Sequence, residues 1–180
     1  MHYPPAEKNK KEVQNKITFS VYAAASLMYL LKMQRDAAGL TVFTDKVDLH
    51  TPARSTAVHH KLMMHKLEEI MENNTQPART NAAAALHEIA ENLHRRSMVI
   101  IFSDMFDNMS DAENLFDALK HLRYNKHEVI LFHVTDKQKE EEFDFENRPY
   151  KFVDVETGEE VKVHSHLVRE AYIQSMQSFK

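Results

Sequence analysis

Two apolar runs, each followed by an aspartate, constrain the fold of this chain more than any other feature. The first is "SMVIIFSD" (97–104) and the second is "HEVILFHVTD" (127–136), with a segment of helical spacing between them. Strands that are apolar on both sides are typical of parallel sheets, because helices cover both faces of such sheets. The pattern therefore predicts two buried parallel strands joined by a helical crossover.

The rest of the chain continues this alternation of helix and strand. Hairpins are predicted where 38–44 is followed by 46–52, and within 150–164 around Thr157-Gly158. The spacing of apolar residues predicts helices over 16–36, 57–72, 81–96, 110–126 and 165–180. This order predicts an α/β fold, a sandwich in which helices pack on a mostly parallel sheet.

Length and composition suit one globular domain. The chain has 180 residues, of which 43% are apolar, enough for one sizeable core. We expect a polar lead-in over 1–14 and a domain over 15–180. Cysteine is absent, which excludes disulfides, thiolate catalysis and cysteine metal sites. Gly39 and Gly158 are the only glycines, so the sequence has no glycine-rich phosphate loop.

Charge and hydropathy argue against nucleic-acid and membrane partners. The net charge of -4 provides no overall basic field for nucleic acid. No apolar run approaches the roughly 18 residues of a membrane helix. The first residues, "MHYPPAEKNKKEVQNK", lack the apolar segment of a signal peptide. We therefore expect a cytoplasmic protein, and the lack of cysteine is compatible with a reducing compartment.

Asp104 is the leading candidate for a functional side chain because it directly follows the first apolar run. Ligands of open parallel sheets bind at the carboxyl ends of the strands, and a carboxylate there can hold Mg²⁺ directly or through water. The alternative role for Asp104 is to cap the next helix. Ser103 and Asp107 are weaker candidates beside it, and Asp107 can equally belong to the turn.

Thr80 and Asn81 stand where a polar loop meets a predicted helix. The Thr80 hydroxyl could ligate a cation, but a helix N-cap is the more ordinary role for a threonine at this place. Asn81 could hydrogen-bond a metal-bound water or cap the helix itself.

Neither a transition-metal motif nor a catalytic pair is evident. His59, His60 and His65 share one predicted helix, but none of them are four residues apart, the spacing that places two imidazoles on one face. No pairing of a nucleophile with a base is visible, so we predict no enzymatic activity.

Four segments together resemble a known bacterial family. They are "RDAAGLTVFTDKV", "RTNAAAALHEIAENLHRRSMVIIFSDMFD", "ALKHLRYNKHEVILFHVTD" and "YKFVDVETGEEVKV". Their order and spacing resemble the family called domain of unknown function 58, a branch of the von Willebrand factor type A-like domains. The resemblance runs from about residue 15 to 180, and "HEVILFHVTD" followed by "FVDVETGEE" is its most specific part.

The resemblance implies a three-layer α/β sandwich with a doubly wound, mostly parallel sheet. It also implies a metal-ion-dependent adhesion site, made of an Asp-x-Ser-x-Ser motif, a threonine on a second loop and an aspartate ending a later strand. Thr80 and Asp104 match the last two elements as metal ligands. Asn81 stands where relatives often carry aspartate, and Ser103 and Asp107 would lie close by.

The chain departs from the family because it lacks the Asp-x-Ser-x-Ser motif. Met1 matches a methionine that directly follows this motif in relatives, so we expect the chain to begin just past it, through an internal start codon, a misassigned gene start or a truncation. The first central strand would then be missing. We expect a weak or absent Mg²⁺ site, and self-association through unpaired strand edges.

The resemblance implies a non-catalytic protein-binding module that works with a MoxR-type AAA+ ATPase in the assembly or maturation of other proteins. One alternative is a receiver-like domain with Asp104 as phosphoacceptor and Thr135 as the hydroxyl at the next strand end. Receiver domains need an acidic pair and a lysine at places where this sequence has neither. A metal hydrolase based on the histidine-rich helix is a third reading, which the histidine spacing disfavours.

Overall fold

The computed structural model describes residues 15–44, 46–72, 82–94, 96–104, 112–153 and 160–179. The helices are α1 (Lys16–Gln34), α2 (Ala57–Glu72), α3 (Ala82–Asn92), α4 (Ala112–Tyr124) and α5 (Ser165–Phe179). The strands are β1 (Thr41–Phe43), β2 (Val47–His50), β3 (Met98–Ser103), β4 (Glu128–His133), β5 (Pro149–Val153) and β6 (Glu160–His164), and a π-helical turn spans Lys137–Glu141. The predicted helices and strands are confirmed, although α3 ends four residues before the predicted end. No helix in these ranges is both long and apolar enough to cross a membrane.

The strands form three separate sheets of two strands each. β1 with β2 and β5 with β6 are antiparallel pairs, which confirms the pairing in both predicted hairpins. The predicted turn at Thr157-Gly158 lies outside the described residues. β3 and β4 are parallel, which confirms the predicted pairing of the two apolar runs. The α/β class is therefore confirmed. Within the described ranges, however, these strands do not join into one doubly wound sheet.

The prediction that both apolar runs are buried on both faces is wrong. Ile101 of β3 is buried, but Ile130, Leu131 and Phe132 of β4 are 42%, 38% and 43% exposed. α4 packs against β4, and β3 supplies its neighbouring strand. Among the described elements of the first unit, this packing leaves apolar side chains of β4 accessible.

The chain divides into two compact units, one ending at Val134 and one beginning at Thr135. In the first unit α1 packs on α2 through Val21, Met28, Met63 and Leu67. α3 packs against α4, and both helices contribute side chains to a buried interior, namely Ala82, Ala83, Ala85, Leu86, Ile89, Ala90, Ala118 and Leu122. The alanines of α3 are small, which allows close approach of a neighbouring element.

The second unit contains the β5–β6 hairpin, α5 and a group of aromatic rings. Phe143 lies 4.6 Å from Tyr172 of α5 and 5.8 Å from Phe152 of β5, measured between ring centroids. Aromatic contacts of this kind add to the free energy gained from apolar burial. They join the segment after β4 to both the hairpin and the last helix.

α1 begins at Lys16 because Asn15 caps it. The Asn15 side-chain oxygen accepts hydrogen bonds from the backbone N–H of Thr18 at 2.8 Å and from its hydroxyl at 2.7 Å. Such a cap satisfies one of the free N–H groups of the first helical turn. The cap therefore fixes where the first residue of the helix, Lys16, is placed.

Candidate functional site

Asp104 lies at the carboxyl end of the parallel strand pair. The register of β3 and β4 runs from Met98 opposite Glu128 to Ser103 opposite His133, so both strands end together. Asp104 follows directly after Ser103, at the edge where ligands of parallel sheets usually bind. This is the position that the sequence predicts for its carboxylate.

A lysine from the start of α1 contacts the Asp104 carboxylate. Lys16 Nζ lies 2.9 Å from Asp104 Oδ2 and donates a hydrogen bond to it. The lysine is only 6% exposed and the aspartate side chain 22% exposed. Lysine is almost never this buried without an ionic partner. Each of these two buried charges is therefore stabilised by the other.

The pKa of the Asp104 carboxyl is lower than its ordinary value. Burial acts to raise this pKa, while the positive charge of the N-terminal amino group, and after it the hydrogen bond and positive charge of Lys16, act to lower it. Asp104 is therefore ionised at neutral pH, and a fixed negative charge faces a fixed positive one at this edge.

The backbone around Asp104 is held by the neighbouring strand. His133 Nε2 donates a hydrogen bond to the Asp104 carbonyl oxygen at 2.9 Å, and the Val134 N–H donates one to the Ser103 carbonyl oxygen at 2.9 Å. The Ser103 side chain is buried. These bonds fix the chain direction where the carboxylate leaves the sheet.

Three of the predicted site residues, Thr80, Asn81 and Asp107, lie outside the described residues. Among the residues that are described, no group of three or more His, Asp or Glu side chains converges to hold a metal ion. Among the described residues, the predicted metal ligands are therefore reduced to the Asp104 carboxylate, and the Lys16 ammonium already lies beside it. By itself this set does not fit Mg²⁺, which binds through carboxylate and other oxygens while keeping several waters.

The two polar residues that follow β4, Thr135 and Asp136, have local structural roles. Within the second unit the Thr135 hydroxyl donates a hydrogen bond to Glu141 at 2.9 Å. Asp136, the aspartate that follows the second apolar run, caps the π-helical turn by accepting a hydrogen bond from the Lys139 N–H at 3.1 Å. Both side chains are therefore engaged within their own turn.

Lys16 is the site residue that sequence reasoning missed. It stands 88 positions before Asp104, and it precedes an apolar helix in a stretch rich in lysine and asparagine. The one available signal is its place directly after a capping residue, at the start of that helix. Nothing in this local pattern indicates which carboxylate it contacts.

These features place the chain in a general class, the α/β proteins with an ionised aspartate at the carboxyl end of a parallel strand pair. The chain matches, over residues 4–179, the family described as "Protein of unknown function DUF58". It belongs to this family. No curated protein matches the chain, and no solved structure matches it.

Proposed function

We propose that this chain is a non-catalytic protein-binding module of the von Willebrand factor A-like type, and that the edge carrying Asp104 is its binding surface. The observation that carries the proposal is the ionised Asp104 carboxylate at the carboxyl end of β3, 2.9 Å from Lys16. The chain belongs to the DUF58 family, and the resemblance of that family to von Willebrand factor type A-like domains supports the proposal. We propose a MoxR-type AAA+ ATPase as the partner, in the assembly or maturation of other proteins.

Lys16 makes this edge different from a plain cation site. Its ammonium donates a hydrogen bond to Asp104 Oδ2, so a divalent cation that binds this carboxylate must compete with the lysine. The chain also lacks the Asp-x-Ser-x-Ser motif that would supply further oxygen ligands. We therefore propose that any Mg²⁺ site here is incomplete and weak, with Thr80 as its second side-chain ligand.

We expect binding to a purified MoxR-type ATPase, without nucleotide, to depend on Asp104. Asp104→Asn should weaken the complex at least tenfold, while the exposed control Asp36→Asn should leave it unchanged. Biolayer interferometry with the chain immobilised measures the affinities of both variants, first in millimolar Mg²⁺ and then in EDTA. Equal affinities for the two variants would contradict the proposal, provided that far-UV circular dichroism shows both to be folded.

The Mg²⁺ contribution can be read from thermal unfolding of the chain alone. A ligand that binds only the native state raises the melting temperature by mass action. We expect a small increase with millimolar Mg²⁺, a larger one in Lys16→Gln, and none in Asp104→Ala. An increase that survives Asp104→Ala would place the bound cation elsewhere.

One observation favours the receiver-like alternative. A receiver domain needs a lysine beside its phosphoacceptor, and Lys16 provides an ammonium beside Asp104, although it comes from α1 and not from after the last strand. Incubation with acetyl phosphate followed by mass spectrometry tests this alternative. Phosphorylation that disappears in Asp104→Asn would support it over the binding module.

Self-association is a further part of the proposal. The apolar side chains of β4 are accessible, with Ile130 42% and Phe132 43% exposed, and exposed apolar strands favour pairing with another chain. We expect the weight-average sedimentation coefficient to rise with protein concentration, and Ile130→Lys to reduce the rise. Tyr124→Lys, at a residue that is 85% exposed, is the matched control. A coefficient that is independent of concentration would contradict the expectation.

A further inference from the structure

Two histidines from neighbouring helices meet in the first unit. His87 of α3 and His121 of α4 have their Nδ1 atoms 3.1 Å apart, and their ring centroids are 5.3 Å apart with the planes inclined by 42°. Both rings are partly buried. One imidazole must donate its Nδ1 hydrogen and the other must accept it, so a single proton lies between the two nitrogens.

The two helices hold these rings in a fixed frame. α3 packs against α4, and Leu86 and Leu122, which adjoin the two histidines in sequence, are 1% and 0% exposed. One turn further along, Asn125 Nδ2 donates a hydrogen bond to the Ala90 carbonyl oxygen at 3.0 Å. The distance between the histidines is therefore set by buried packing on one side and by a second interhelical hydrogen bond on the other.

The distance between the two nitrogens suits a shared metal ion. Two imidazole nitrogens that bind one tetrahedral Zn²⁺ at about 2.0 Å each lie about 3.3 Å apart. The observed 3.1 Å is close to this value, so a metal ion can replace the shared proton at nearly the same separation of the nitrogens, with each ring turned so that its lone pair points at the ion. Imidazole is a preferred ligand for Zn²⁺, Cu²⁺ and Ni²⁺.

Asp117 of α4 is the candidate for a third ligand. Asp117 precedes His121 by four residues, which places both on one face of the helix. Its pKa is lowered first by the hydrogen bond and charge of Lys120, and also by the charge of His87, so its carboxylate lies within electrostatic range of the other helix. Lys120 Nζ holds Asp117 Oδ1 at 2.8 Å, but this pair is exposed and exposed pairs break easily.

We propose that His87 and His121 bind a divalent transition-metal ion such as Zn²⁺, and that the ion joins α3 to α4. Asp117 turns away from Lys120 to become the third protein ligand, and water fills the remaining position. The proposal is independent of the Asp104 edge, because the latter offers oxygen ligands and this site offers imidazoles.

Calorimetric titration of the untagged chain with Zn²⁺ tests the site. We expect one tight site per chain, and a loss of at least tenfold in affinity in both His87→Gln and His121→Gln. His164→Gln is the matched control, because His164 also contacts a second histidine, His166, with ring centroids 5.7 Å apart. Unchanged affinity in both helix variants, or the main loss in the control, would overturn the proposal.

Two further variants distinguish a specific metal site from non-specific binding by surface histidines. Asp117→Asn should weaken Zn²⁺ binding, and Lys120→Ala should strengthen it about two- to fivefold because it releases the carboxylate. At a hundred times the dissociation constant, Zn²⁺ should also raise the melting temperature by about 5–10 °C. Opposite or absent effects in both variants would remove Asp117 from the ligand set.

A measurement on the unaltered chain covers the case in which a variant fails to fold. Imidazole resonances can be followed by ¹H–¹⁵N correlation spectra during a Zn²⁺ titration. We expect two histidine side chains to respond together before the others, with direct Nδ1 coordination. A first response from His164 and His166, assigned from the His164→Gln spectrum, would overturn the proposal.

Discussion

Replacing Lys16 by methionine is expected to lower the free energy of unfolding by about 3 kcal/mol at pH 7, because removing one member of a buried ion pair leaves the other charge buried. The Asp104 carboxylate would lose the ammonium that lies 2.9 Å from Oδ2, in a place where its side chain is only 22% exposed. Methionine keeps the length and apolar stem of lysine, so packing changes little. Urea denaturation followed by circular dichroism measures the loss.

A double-mutant cycle identifies the cause of this loss. Asp104→Leu alone should destabilise the chain by a similar amount, since it leaves the Lys16 ammonium in its buried position. The combined variant Lys16→Met with Asp104→Leu should lose clearly less than the sum of the two, because neither charge of the pair is left behind without the other. The exposed pair of Lys120 and Asp117 serves as the control, and breaking it should have little effect on stability. Additive losses at Lys16 and Asp104 would show that the ion pair does not determine the effect.

The lowered pKa of Asp104 also predicts how stability depends on pH. The pKa of Asp104 is lower in the folded chain than its ordinary value of 3.8. A lowered folded pKa means that the stabilisation is complete above the unfolded pKa and is lost as the pH falls through the folded pKa. The difference in unfolding free energy between the wild type and Asp104→Asn should therefore stay constant from pH 7 to about pH 5, and shrink below about pH 4. A difference that already shrinks near pH 6 would assign the titration to another group.

Local sequence patterns predict the helices and strands of this chain well. The helix predicted over 57–72 is α2, Ala57–Glu72, because apolar periodicity and capping act within a few residues. The parallel pairing of β3 with β4 also follows from local signals, since two apolar runs joined by a helix are typical of a parallel βαβ unit. The position of Asp104 at the carboxyl end of the strand pair follows from that pairing, because Asp104 comes directly after β3.

Features that depend on distant parts of the chain could not be predicted in this way. The contact between Lys16 and Asp104 joins residues 88 positions apart, and no periodicity encodes it. The exposure of β4 has a similar origin, because burial depends on which elements cover a strand and not on its own composition. The meeting of His87 with His121 requires the packing of α3 on α4, which neither helix specifies alone.

Leu122→Ala is expected to have an effect as large as that of Lys16→Met. Leu122 is 0% exposed, and Ala118, one turn earlier on α4, is also 0% exposed. Truncation of a fully buried leucine removes its transfer free energy and leaves a cavity, which together cost about 2–5 kcal/mol. For a chain of this length the melting temperature should fall by roughly 5–15 °C.

Tyr124→Ala provides the control for this prediction on the same helix. Tyr124 is 85% exposed, so its truncation should change the unfolding free energy by less than about 0.5 kcal/mol. Thermal and urea unfolding of the two variants under identical conditions give the comparison. A small loss for Leu122→Ala would mean that α4 is loosely packed and can collapse around the vacated volume. The interhelical frame that holds His121 against His87 would then lack the rigidity that a preformed metal site needs, so this stability measurement also bears on the proposed Zn²⁺ site.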